Sequence, residues 1–412
     1  MFLVRQSKPE DASTLHKLAR TVYFINLPPD ERIIGEKISH SQRCFRSLVE
    51  KPSGKADAHK NGKPKRPSER LGGYVDGSDL FMFSILEPET GAVVGTSQVR
   101  ARMGGPGDPN WRMRVYEKKF FSAGLGFGTT HTVAKLDGDE SGPTEVGGLI
   151  LDPGFRGHRM RPGRFISFVR FHLMGLFRER FAQTVIAEMM GSVTSAGESA
   201  FWDAFGRKFI PVTYAEADRF CQHNRAFISE LLPKEEIFLT LFPLEIQNII
   251  GVVPKETLPA RKLLESIGFR YRHIIDPFDG GPHLDAPAGD IALIRDTKRA
   301  VAARASGPCT KAAIVSFINA EGEFRAVETW VDATKDGTVR LEPQVFEALA
   351  IEPGAQVGCT LMGKFGLPRD DGRADVAVPA PRAKRVAARS GGKATSRRSP
   401  RPPRNGSKRP KR

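Results

Sequence analysis

The chain has 412 residues, of which 40% are hydrophobic and 27% charged. That is a globular composition of two to three domains, at about 150 residues each, and too apolar for wholesale disorder. No uncharged apolar run approaches the roughly 18 residues of a membrane helix, which excludes a spanning protein. The four cysteines, Cys44, Cys221, Cys309 and Cys359, stand singly. A zinc knuckle or disulfide framework is therefore not expected, and a reducing cytoplasm fits.

The formal net charge of +16 points at first to nucleic acid. Its distribution points elsewhere. Residues 382–412 hold thirteen Lys/Arg and no acidic residue, which leaves +3 for the other 381. This Pro-, Ser- and Gly-rich stretch, 380–412, reads as a disordered basic tail. Nonspecific contact with nucleic acid or anionic surfaces, through counterion release, is one reading of it; a solvated extension with no dedicated partner is the other, and no aromatic residue interleaves it to stack on bases. A lysine-rich insertion, 51–70, has the same character.

Phe2–Gln6 alternates as a strand. Ser7, with Glu10 three residues on, predicts an N-cap, and Leu15, Leu18, Ala19 and Val22 predict a helix stripe. Asp30 predicts the cap of a second helix, running to Leu48. Asp79–Leu86 and Ala92–Arg100 form a predicted hairpin. Met103–Gly142 is glycine-rich and reads as irregular. Glu145–Leu151 predicts a strand, Gly163–Phe181 a long helix, Thr184–Met189 a strand and Phe201–Phe205 a helix. Four alternating segments between 308 and 365 predict a small β-barrel-like domain after a 1–300 region. The expected class is α+β: a mixed sheet with flanking helices, a small β-rich C-terminal domain and the basic tail.

This order of elements resembles the GNAT acyltransferase superfamily. The resemblance implies two devices for an acyl-CoA. One is a strand splayed from its neighbour, with free amides for pantetheine, here through Leu149, Ile150 and Leu151. The other is a helix N-terminus for pyrophosphate, here the loop Phe155–Arg164 with Arg156, Gly157, Gly163 and Arg164. The superfamily's glycine pattern is met loosely, because Arg161 and Pro162 stand where glycines are preferred.

Six collinear segments narrow the resemblance to the arginine N-succinyltransferase family: LILDPGF (149–155), VIAEMMG (185–191), FWDAFGRKF (201–209), RAFISELLPK (225–234), PARKLLESIGFRY (259–271) and IDPFDGGP (275–282). It implies succinyl transfer from succinyl-CoA to the α-amine of arginine, with no metal, in the cytoplasm and in an oligomer. It also implies contact of Leu149 with succinyl-CoA.

An amine acceptor must lose a proton before it can attack, and the leaving thiolate needs a proton or a charge partner. The candidates for that work are Glu188 at the end of its strand, Asp276 and Asp279 in the DPFDGG turn, Glu145, and the loop histidine His131. Glu188 could instead pair with an arginine of the scaffold such as Arg207. The family's proton-donating histidine aligns with Pro254, which cannot exchange a proton. Lys255, Glu256, His223 or His273 could substitute. If none does, a CoA-ester-binding regulator without catalysis is the alternative. Thr21–Asn26 also replaces the family's glycine-rich approach to Leu27-Pro28 with bulky side chains, which puts the acceptor in question.

Overall fold

The computed structural model describes residues 1–20, 27–50, 78–194, 196–221, 225–334 and 336–366. The lysine-rich insertion at 51–70, the segment Thr21–Asn26, His223 and the basic tail at 380–412 lie outside the described residues.

β1 (Leu3–Gln6) leads into a single 3₁₀ turn at Pro9–Asp11 and then α1 (Ala12–Ala19). Ser7 does not cap this turn as the spacing predicts. Its hydroxyl is buried against Ser84 Oγ at 2.9 Å, and Asp11 accepts from the Lys8 N–H at 2.9 Å instead. Pro9 explains the change, since proline suits the first turn of a helix and shifts the start past Ser7. α2 (Glu31–Ser47) begins as expected, with Asp30 accepting from the Ile33 N–H. β2 (Leu80–Leu86) and β3 (Val93–Arg100) form the predicted hairpin.

The stretch Met103–Gly142 is not irregular. It folds into β4 (Asn110–Ser122) and β5 (Phe127–Asp139), paired over thirteen residues each. Its glycines concentrate at the two ends of this ribbon, where Gly104, Gly107 and Gly126 take positive φ. The alternation of Trp111, Met113 and Val115 with arginines carried the strand signal.

β6 (Thr144–Leu151) is followed by α3 (Pro162–Leu176), which ends earlier than predicted; residues 178–180 form a separate 3₁₀ turn. β7 (Thr184–Glu188), α4 (Ala200–Ala204), α5 (Tyr214–Cys221) and α6 (Ala226–Leu231) come next. The two-residue β8 (Ile237–Phe238), α7 (Leu244–Gln247), α8 (Leu258–Ser266), β9 (Arg270–Ile275) and β10 (Pro282–Pro287) complete this part.

The last part holds α9 (Ala292–Arg295), β11 (Lys298–Arg304), β12 (Lys311–Ile318), β13 (Phe324–Ala333), β14 (Thr338–Leu341), α10 (Pro343–Leu349) and β15 (Gln356–Leu361). The order β12-β15-β11-β14-β13 returns to β12 through a β12–β13 pairing, so these five strands close on themselves. Closure removes the exposed edges that strands otherwise present. β13 also pairs with β1, which joins the closed strands to the rest of one mixed sheet.

α3 is buried along nearly its whole length. Phe165, Phe168, Val169, Phe171 and Leu173 of this helix pack in one core with Phe81 and Phe83 of β2 and Leu284 of β10. Among the described residues, no helix is long and apolar enough to cross a membrane.

Candidate active site

β6 and β7 run parallel but pair at two positions, Thr144 with Val185 and Glu145 with Ile186. Beyond that point no ladder joins them. On its other side β6 stays paired with β3, with an irregularity between Thr96, opposite Ile150, and Gln98, opposite Gly147. Gly148 has φ +57, and a Cβ there would stand 2.9 Å from Gln98 Cγ. A positive φ and a close approach together call for glycine. Gln98 is buried, and neither end of its amide has a hydrogen-bond partner.

The open end of this splay leads to α3. Gly157 has φ +75 with open space around it, and Arg161 takes a left-handed φ of +49 as the helix starts. Pro162 then fixes the first helical position. Arg156 and Arg159 are exposed, whereas Arg164 is 9% exposed. Its guanidinium turns inward to Glu328 Oε1 at 2.5 Å and to the Gly366 carbonyl at 3.1 Å. The Arg164 side chain is thus engaged with β13.

At the C-terminal end of β7, segments far apart in sequence converge. Glu188 stands directly opposite His283 in the antiparallel β7–β10 register. Glu188 Oε1 accepts from Asn110 Nδ2 at 2.6 Å and lies 4.0 Å from His283 Nδ1. His283 Nε2 lies 3.9 Å from Asp276 Oδ2 and has no hydrogen-bond partner. The other Asp276 oxygen accepts from the N–H groups of Phe278 and Asp279, which fixes the turn. Asp279 is itself bound by the N–H groups of Gly191 at 2.9 Å and Gly281 at 2.7 Å.

Two glycines allow this close packing. A Cβ on Gly281 would stand 2.1 Å from the Met189 carbonyl oxygen, and one on Gly191 would stand 2.3 Å from that of Asp279. Phe278 of the same turn stacks on Trp202 at 4.9 Å between ring centres. The VIAEMMG, FWDAFGRKF and IDPFDGGP segments therefore meet at one place because they build one cluster.

Burial raises the pKa of Glu188; the charges of His283 and Arg225 and the Asn110 bond act against it, while Glu145 adds to it. For His283 burial favours the neutral ring, but Glu188, Asp276 and Asp279 outweigh it and raise the pKa. Burial and the Asp276 charge raise Asp279. Arg225 is opposed by burial, yet the nearby Cys221, Glu188, Asp276 and Glu145 hold it above its ordinary value.

The remaining expectations fall elsewhere. His131 pairs with Lys118 on the β4–β5 ribbon, with its ring against Phe120 and Phe238. That is eight residues along β4 from Asn110, on the order of 27 Å at strand rise. Glu145 is 1% exposed and lies 3.8 Å from Arg100, beneath the splay. Arg207 pairs with Asp203 rather than Glu188. His273 stands on β9 against Tyr271. His283 was missed in the sequence because it lies one residue past the recognised turn, and its partner is brought to it by strand pairing across 95 positions. The alternating pattern that makes β10 a strand was its one local signal.

A family model described as arginine N-succinyltransferase beta subunit matches residues 70–293. The chain is 32% identical over 301 residues to the arginine N-succinyltransferase of Citrobacter koseri, spanning 72% of this chain and 79% of that protein. The protein of that name from Escherichia coli matches at the same identity and spans. The structure of arginine/ornithine succinyltransferase subunit AI from Pseudomonas aeruginosa superposes with a TM-score of 0.69, at 24% identity, over 88% of this chain and 98% of that one.

Proposed function

The chain belongs to the arginine N-succinyltransferase family, and we propose from that premise that it transfers an acyl group, succinyl, from its coenzyme-A ester to the amine of a basic amino acid. The observation that carries this reading is the β6–β7 splay with the acidic cluster at its mouth. A GNAT-like site uses such a gap to admit the pantetheine arm. The gap begins right after Glu145 and Ile186, two residues before Glu188. Leu149, Ile150 and Leu151 would offer backbone to the arm, and the Leu151 side chain lies 3.3 Å from where a Gly163 Cβ would stand. Arg156, Gly157 and Gly163 would meet the phosphates, where helix-start N–H groups favour anions.

Glu188 is the group best placed to take the amine's proton. Its side chain keeps 16% exposure, an opening toward a substrate. Burial moves its pKa toward neutrality, where a carboxylate is a more effective base. The attacking nitrogen then forms the C–N bond, the C–S bond breaks, and its electron pair leaves on sulfur. Of the two protons the ammonium loses, one ends on the thiolate and one in water. Asp276, with its charge at the same mouth, suits a cationic acceptor such as arginine. Gln98 lies at the bulge where the acyl carbonyl would pass, and its free amide could donate to the oxyanion.

A cytoplasmic, oligomeric enzyme fits the family. Phe121, Leu125 and Phe127 at the tip of the β4–β5 ribbon are 73%, 71% and 56% exposed, an apolar surface suited to a subunit contact. The reading is tested by thiol release from succinyl-CoA and acetyl-CoA, each with arginine, ornithine or no acceptor. Acceptor-dependent release from succinyl-CoA is expected, and none with any pair would refute the proposal.

A further inference from the structure

His283 is buried, at 6% exposure, between two carboxylates from different elements. It faces Glu188 across the β7–β10 ladder on one side and Asp276 on the other. Neither separation is a hydrogen bond, at 4.0 and 3.9 Å, but both are close enough for strong charge coupling in a site with little water. The ring is held there by backbone, because it sits within a paired strand, and Asp276 is locked by two turn N–H groups.

We infer that His283, as an imidazolium, is the positioning residue that keeps Glu188 ionised and able to accept the substrate amine's proton. This rests on the acyl-transfer reading above. A buried carboxylate under the charge of Glu145 would otherwise bind a proton at rest and be useless as a base. The charged groups around the ring are Glu188 on β7, Asp276 and Asp279 in the turn after β9, and Arg225 before α6, whose charge is felt at Glu188 and Asp276. Around Glu188 stand also Asn110 on β4, which carries no charge, and Glu145 on β6, whose carboxylate favours the protonated form. The arrangement also places a histidine in this cluster although Pro254 does not supply one. The segment holding Pro254 is tied to the turn that leads into His283, by the Gly251 N–H to the Gly280 carbonyl at 2.8 Å.

The test follows kcat and kcat/KM against pH for the full chain and for His283→Gln. Without the imidazolium, Glu188 binds its proton more tightly, so the acid limb of kcat/KM should move to higher pH. The expected loss in kcat at neutral pH is about 100-fold, with KM for the CoA ester within about twofold. A lowered kcat with an unshifted acid limb would overturn the inference. A second arm needs no activity and keeps the histidine. The His283 imidazole is titrated by NMR in the intact protein, its signal identified by its loss in His283→Gln. Its midpoint should fall in Glu188→Gln and in Asp276→Asn, and a midpoint unmoved by Glu188→Gln would also overturn it. If the midpoint falls but no acceptor supports thiol release, the acyl-transfer reading fails while the coupling of His283 to Glu188 is supported.

Discussion

Arg164, in the first turn of α3, and Glu328, on β13, meet in an ion pair of 2.5 Å with side chains 8% and 3% exposed. The pair links the helix beside the proposed cleft to the closed C-terminal strands. It also explains why one of four arginines near the helix start does not face solvent. Burial raises Glu328 while Arg164 opposes the shift.

Removing one partner of such a pair strands the other charge. Arg164→Met should destabilise the fold by about 3–5 kcal/mol. Arg164→Met combined with Glu328→Leu should recover most of that loss. Urea unfolding of the three proteins checks this. The double variant should keep the KM for the CoA ester, since the Arg164 side chain points away from it.

Lys37 on α2 is 4% exposed, and burial followed by the charge of Arg100 brings its pKa down to about 7, against the pull of Glu145. The unfolded chain therefore binds more protons between about pH 7 and pH 10.5, and this group makes stability rise with pH across that window. Lys37→Met should flatten the slope there. It should also stabilise the protein at pH 7 by about 1 kcal/mol, because Glu145 keeps Arg100 and Arg170 as charge partners. Thermal unfolding at pH 7 and pH 9 measures both effects.

Glu188→Gln keeps the Asn110 contact in shape but cannot take a proton. It should lower kcat by about 10²–10⁴-fold, with little change in KM for the CoA ester. In the unaltered chain, burial raises the Glu188 pKa. Activity should therefore be lost, as pH falls, above the range of an ordinary carboxylate. A pH–rate profile of kcat/KM locates that limb.

Gly281→Ala places a methyl group 2.1 Å from the Met189 carbonyl oxygen. Backbone has to move, which displaces the turn carrying Asp276 and Asp279. A loss of stability of about 1–3 kcal/mol is expected, with a larger proportional loss of kcat than for Gly289→Ala, where nothing lies within 4 Å. Parallel melting curves and single-turnover rates compare the two.

Local chemistry determined much of the fold. Apolar runs placed the β2–β3 hairpin, β6 and β7 to within a residue or two, alternation marked four of the five closed C-terminal strands but not β11, and Asp30 capped α2 as an Asx residue should. Where one signal competed with another, the sequence misled. Glycines masked the β4–β5 ribbon, and Pro9 displaced the cap expected at Ser7. Within the cluster, Glu188 was legible because it ends an apolar strand, and Asp276 because it opens a recognisable turn. His283 was not, and His131 stands on the β4–β5 ribbon, opposite Lys118.

The sequence by itself determined the family and, the β4–β5 ribbon apart, the order of elements from β1 to α4, and it named Glu188, Asp276 and Asp279 among its candidates, since these depend on neighbours in the chain. Tertiary structure decided which charges face each other. The register of β7 against β10 put His283 opposite Glu188, and the packing of α3 on β13 turned Arg164 away from the cleft. The physical reason is that Coulomb coupling and proton affinity depend on distance and burial through space. Residues 95 positions apart acquire both only when the strands that carry them pair.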